Sequence, residues 1–149
     1  MRFDGRVVLV TGAANGIGLR IGPAFGREGA RVAAFDVDAC GAGALARELA
    51  AEGLEALALK ADVTAAPEVR QAVDAVLDRW GRVDVLVNNA GGFSVIRLTE
   101  DIPDDEWEAI FRSNVTSAFL CAKAVLLRMK RQGAAAIVNL SWIAGRTRL

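Results

Sequence analysis

The octapeptide Thr11-Gly12-Ala13-Ala14-Asn15-Gly16-Ile17-Gly18 stands between the apolar run Val7-Val8-Leu9-Val10 and a helical pattern running from about Gly16 to Glu28. A continuous apolar run of that kind, three of its four residues β-branched, predicts a strand buried on both faces. Glycines in the turn that follows permit a tight reversal from strand to helix. They also let backbone N–H groups approach an anion at the helix N-terminus. A lone glycine triplet often marks a mere loop. Here a strand precedes, a helix follows, and an acidic residue, Asp36, ends the next predicted strand, 18 residues past Gly18.

The rest of the chain repeats that alternation. Predicted strands over 31–36, 56–60, 83–88 and 136–140 are separated by predicted helices over 41–52, 67–80 and 104–131. Gly29, Gly53 and Gly133 close helices, while Pro67 and Pro103 stand near helix starts, where proline is tolerated. Strands spaced by helices of this length imply βαβ units, hence a parallel sheet with right-handed crossovers. The expected fold is α/β, a three-layer Rossmann fold with a parallel sheet, truncated after the fifth strand. Residues 1–149 then form a single, incomplete dinucleotide-binding domain. Gly22-Pro23 disturbs the first helix. Proline there removes an intrahelical bond and clashes with the Leu19 carbonyl, at a cost of about 3 kcal/mol, so a kink or a loosened turn is expected.

Composition narrows the partners. Hydrophobic residues make up 53% of the chain, enough for a packed core. The 18 basic and 18 acidic residues are interleaved and cancel, which leaves no electrostatic footprint for nucleic acid. The basic run Arg128–Arg131 falls at a predicted helix C-terminus, where cations suit the dipole. The two cysteines, Cys40 and Cys121, form no CxxC pair and the chain has no histidine, so neither a disulfide framework nor a metal site is expected. Cys121 reads as a small buried apolar residue. No signal-peptide pattern opens the chain, and no apolar run approaches the roughly 20 residues that span a bilayer. The expectation is a cytoplasmic protein without a membrane partner.

Asp36 bears on the ligand. A carboxylate at the end of the second strand accepts a hydrogen bond from a ribose 2′-OH and repels a 2′-phosphate. No Arg or Lys stands at Asn15 or Val37 to attract that phosphate. NAD is therefore expected over NADP.

Further motifs extend the pattern. Asp62-Val63 follows the third predicted strand, Asn88-Asn89-Ala90-Gly91 the fourth, and Asn114 lies in the long predicted helix. The fifth strand reads Ile137-Val138-Asn139-Leu140-Ser141. With three residues between Gly12 and Gly16, the chain resembles the short-chain dehydrogenase/reductase family from Gly5 to Gly145. The resemblance implies NAD(H)-dependent hydride transfer between the nicotinamide and a small-molecule alcohol or carbonyl, in a full-length protein that is a homo-oligomer. It implies that Gly12, Gly16 and Gly18 cradle the pyrophosphate, with Asn15 and Ile17 in the same cofactor-binding turn. Asp62 and Val63 would contact the adenine. Asn88, Ala90 and Gly91 would stabilise the central sheet and line the cofactor, and Asn114 would hold a water in the proton relay.

The likeness breaks at the acid/base residues. The family's catalytic serine is usually the second of two adjacent serines; here Ser141 matches the first and Trp142 occupies the second. Side chains alternate across a strand, so these two positions are expected on opposite faces. The family's Tyr-xxx-Lys would follow about a dozen residues later, past Leu149, and the sequence contains no tyrosine. The stretch Val115–Leu127 is apolar nearly all round and expects burial on more than one side. Three readings follow. The chain is the N-terminal cofactor-binding part of such an oxidoreductase, by truncation or frameshift. Alternatively it is a non-catalytic NAD-binding pseudoenzyme, or a module that pairs with a complementary chain.

Overall fold

The structure, a computed structural model, describes residues 1–93 and 97–142. Gly145, the far end of the family likeness, lies outside the described residues. Five strands, β1 (Val7–Thr11), β2 (Arg31–Asp36), β3 (Ala56–Lys60), β4 (Val85–Asn88) and β5 (Ala136–Asn139), form one parallel sheet in the order β3-β2-β1-β4-β5. The expected three-layer α/β architecture is the one observed. Alternation along the strands sends Val7, Leu9, Ala33, Phe35 and Leu86 to one face. There they meet α3 (Ala66–Trp80) and α5 (Ser117–Gln132). Val8, Val10, Val32, Ala34, Val85 and Val87 go to the other face, against α1 (Gly18–Arg27) and α2 (Ala39–Ala51). Strand order reverses between β1 and β4, and the crevice of such a sheet opens at the carboxyl ends of those two strands.

Several boundaries differ from the sequence expectation. The first helix begins at Gly18 rather than Gly16, and the fourth strand at Val85 rather than Val83. No break appears at Pro23, because one α-helix runs from Gly18 to Arg27 with Pro23 inside it. The cause is packing. Gly22 and Gly26 are buried, and a Cβ at Gly22 would already stand 3.4 Å from both Val32 and Leu45. So close an approach holds a turn that has lost one hydrogen bond.

The long helix expected over 104–131 is divided. α4 (Asp104–Phe111) passes into a π turn over Arg112–Thr116, and α5 follows. Three side chains compete for carbonyls in this stretch. Ser113 Oγ donates to Ile110 O (3.1 Å), Asn114 Nδ2 to the same oxygen (2.8 Å), and Ser117 Oγ to Ser113 O (2.6 Å). Such local bonds loosen the regular ladder. The composite helix Asp104–Gln132 also corrects the reading of apolar runs. At 29 residues, with a window of mean hydropathy 1.3, it is long and apolar enough to cross a bilayer by length and composition. Its Cys121, Val125 and Met129 nevertheless pack into the sheet's core, and burial pushes the Cys121 thiol up to about 12. The rest of its apolar surface is open: Phe119 and Leu127 are 61% and 62% exposed. β5 is an edge strand and is exposed throughout.

One buried charge ties the sheet's lower end. The Asp84 carboxylate accepts from Val7 N–H (2.9 Å), Arg6 (2.8 Å) and Arg82 (2.8 and 2.6 Å). Burial alone raises its pKa, but the bonds from Arg82, Val7 and Arg6 outweigh that and hold the group below the usual carboxylate range. A depressed folded-state pKa contributes stability that is complete above the unfolded value of about 4 and is lost as pH falls through the folded value. Asp84→Asn should cost about 2 kcal/mol at neutral pH and flatten the acid limb of the stability curve. Urea melts from about pH 3 to pH 7 measure both, and an unchanged acid limb would remove Asp84 from this account.

Candidate functional site

At the β1/β4 reversal the glycine turn takes the shape its residues allow. Gly12 (φ +63°) and Gly16 (φ +54°) lie in the left-handed region. Gly18 is fixed by contact, since a Cβ there would overlap the Gly12 carbonyl. No side chain caps α1. The N–H groups of Asn15, Gly16 and Ile17 have no protein partner among the described residues. They stand free at a helix N-terminus, where the dipole favours an anion.

Two side chains that sequence reasoning left unassigned hold this turn. Thr11 Oγ1 accepts from the N–H groups of Asn89 and Ala90 (3.0 Å each) and donates to Val87 O (3.4 Å). Asn89 Nδ2 donates to Thr11 O and Gly12 O, both at 3.0 Å. Each sits inside a quoted motif. Their signal was their residue type beside the glycines, a hydroxyl and an amide where backbone groups leave the sheet unpaired.

Asp36 is not a solvated turn residue. It is 8% exposed, and its Oδ2 accepts from Ala14 N–H and its Oδ1 from Asp38 N–H, both at 2.9 Å. It lines a recess of about 220 Å³ together with Gly12, Asn15, Val37, Val63 and Ala90. Asp62 does not line that recess. Its Oδ1 is occupied by Thr64 N–H and Oγ1, both at 2.8 Å.

A second recess of about 500 Å³ adjoins the first through Asn89, Ala90 and Gly91. Ile17, Asn88, Asn114, Asn139, Ser141 and Trp142 line it, and none of its described walls carries an ionisable side chain. Asn88 Nδ2 donates to Asn139 Oδ1 (2.8 Å) across the β4–β5 pair, while the buried Asn88 Oδ1 has no partner among the described residues. The Asn114 amide brackets Gly92, accepting from its N–H (2.9 Å) and donating to its carbonyl (2.8 Å). β5 ends at Asn139, and Ser141 and Trp142 follow it among the residues that line this recess. Trp142 packs against Phe93 with ring centroids 5.1 Å apart. The free N–H groups, the adjacent carboxylate recess and the uncharged second recess fit a dinucleotide: diphosphate at the helix, one nucleoside on either side. The two recesses thus gather Gly12, Asn15, Ile17, Asp36, Val63, Asn88, Ala90, Gly91, Asn114, Ser141 and Trp142; Gly16 and Gly18 belong to the glycine turn between Asn15 and Leu19 without lining either recess, and Asp62 lines neither.

Comparison with known proteins agrees with this geometry. The family model of the short chain dehydrogenases matches residues 6–149. The chain is 43% identical over 142 residues to a D-threitol dehydrogenase of Mycolicibacterium smegmatis, covering 94% of this chain and 54% of that protein. It is 39% identical over 147 residues to a sorbitol dehydrogenase of Cereibacter sphaeroides, covering 98% and 56%. The crystal structure of a metagenomic short-chain oxidoreductase in complex with NADP superimposes with TM-score 0.93 at 32% identity, over 100% of this chain and 67% of that one. The chain spans about half the length of the curated relatives it matches.

Replacing Asn89 by alanine strips the Thr11 and Gly12 carbonyls of a shared donor. A loss of about 1–3 kcal/mol in unfolding free energy is expected, read by chemical denaturation. A value within about 0.5 kcal/mol of the wild type would mean that the turn is held without this amide.

Proposed function

The chain belongs to the short-chain dehydrogenase family of oxidoreductases, and from that membership we propose that it is the cofactor-binding portion of an NAD(H)-dependent enzyme interconverting a small alcohol and its carbonyl compound. The observation that carries the reading is the conjunction of free N–H groups at the start of α1 with the Asp36 recess beside them. When bound, a nicotinamide cofactor supplies or accepts the hydride. This chain's part is to bind and orient. Asn15, Gly16 and Ile17 offer N–H groups to the diphosphate, and Asp36 keeps lone pairs for a ribose hydroxyl. With a carboxylate there and the exposed apolar Val37 after it, NAD is favoured over the 2′-phosphorylated cofactor.

The second recess suits an uncharged substrate, because no described side chain that lines it is ionisable. Relatives named for D-threitol and sorbitol make a polyol the first class to assay. Proton transfer is the weak point. A carbonyl that accepts hydride must gain a proton, and a positioned acid contributes about 10²–10⁴-fold. The sequence holds no tyrosine and no histidine, and Ser141 is the one hydroxyl among the described residues of that recess. The acid is proposed to lie in the portion that the longer relatives carry.

Calorimetric titration of the 149-residue chain should give tighter binding of NAD than of NADP; equal or tighter NADP binding would sink the assignment. Turnover of polyols or small ketones by this chain, followed by NADH absorbance, should be negligible. Robust turnover abolished by Ser141→Ala would place the acid within this chain. The open face of α5, with Phe119 and Leu127 exposed, is expected to drive self-association, which sedimentation velocity detects. A monodisperse monomer would show that this face tolerates water.

A further inference from the structure

The Asp36 carboxylate meets the glycine turn as well as the recess, and the neighbouring residues turn that contact into a joint. Its Oδ2 holds Ala14 N–H at 2.9 Å and its Oδ1 holds Asp38 N–H at 2.9 Å. Asp38 in turn caps α2, its Oδ1 accepting from Cys40 N–H (3.0 Å) and Gly41 N–H (3.1 Å). Gly41 then closes the joint by contact, since a Cβ there would stand 2.7 Å from the Ala14 side chain and 2.7 Å from Asp38 Oδ2. Ala14 is thus held from two sides, by a buried carboxylate on β2 and by the bare backbone of α2. The unpartnered N–H groups of Asn15, Gly16 and Ile17 come directly after it.

We propose that Asp36 is a positioning residue for the anion-binding turn: it clamps Ala14 and so sets the direction of the N–H groups that follow, in addition to facing the ribose. The inference rests on the dinucleotide reading of the site. It has a consequence that a simple ribose contact lacks. A carboxylate that only selects against a 2′-phosphate weakens NAD binding when removed and leaves NADP binding equal or better. A clamp weakens both, because each shares the diphosphate. Asparagine is no substitute. An amide has one oxygen, and its NH₂ would face one of the two N–H donors.

The test pairs titration of NAD and NADP with hydrogen exchange of the dinucleotide-free chain, for wild type, Asp36→Ala, Asp36→Asn and Gly41→Ala. Both Asp36 variants should weaken NAD by about tenfold or more, the scale of one hydrogen bond to a charged group, and should weaken NADP as well but by less, because losing the carboxylate also relieves its repulsion of the 2′-phosphate. The Ala14 amide should exchange faster by a similar factor while Val8 and Leu9 amides in β1 do not change. Gly41→Ala leaves Asp36 intact for the ribose, yet it should also weaken both dinucleotides. NAD loss alone, with NADP unimpaired and Ala14 exchange unchanged, would overturn the clamp. Should the Asp36 variants fail to fold, Gly41→Ala decides by itself, and unaltered binding of both dinucleotides would overturn the proposal. A wild type that binds neither dinucleotide would defeat the proposed function, while the exchange of Ala14 would still decide whether Asp36 holds the turn.

Discussion

The crevice at the carboxyl ends of the strands depends on how β1 and β4 are joined above their last ladder bond. Parallel strands that diverge at a reversal of strand order leave backbone groups without ladder partners. Here the gap is bridged by two side chains. The Thr11 hydroxyl gathers two N–H groups from the β4 exit, and the Asn89 amide returns two bonds to the β1 exit. The reciprocity makes one rigid junction of two loops that belong to different βαβ units. Gly12, whose positive φ starts the glycine turn, lies inside that junction, as does Ala90, which lines both recesses. Without the junction the glycines would supply freedom but no shape.

The fold was legible because each strand carries its own pattern. Val7-Val8-Leu9-Val10 and Arg31-Val32-Ala33-Ala34-Phe35 send alternate residues to two buried faces, and the residues between them have helical spacing. The glycine-turn end of the crevice was legible for a related reason. Gly12, Gly16, Gly18 and Asp36 act through backbone conformation and one charge at a strand end, which are local properties. What was not legible depended on distant groups. Nothing near Pro23 reveals that Gly22 packs on Val32 and Leu45, which keeps the helix whole. The π turn at Arg112–Thr116 arises from Ser113, Asn114 and Ser117 competing together for carbonyls, an outcome that periodicity does not encode. The expectation of opposite faces for Ser141 and Trp142 carried strand alternation past the end of β5 at Asn139, where the strand no longer enforces it.

The two ends of the crevice differ in kind. At the Asp36 end, polar groups are spent inside the chain: both carboxylate oxygens hold backbone N–H groups, and Asp62 and Asp38 are occupied in their own turns. That end is preorganised, and a ligand meeting it pays little to order it. At the Trp142 end the balance is reversed. Asn88 Oδ1 is buried without a partner, Phe93 and Trp142 are about half exposed, and β5 presents an open edge. An unmet acceptor in a buried site costs free energy unless something donates to it, and a bare parallel edge invites pairing. The α5 face has the same property, with Cys121 and Val125 sealed in the core and Phe119 and Leu127 in water on the opposite side. The crevice therefore joins two kinds of surface: at the Asp36 end ordered carboxylates stand beside the free N–H groups of Asn15, Gly16 and Ile17, and at the Trp142 end a buried acceptor is left unmet.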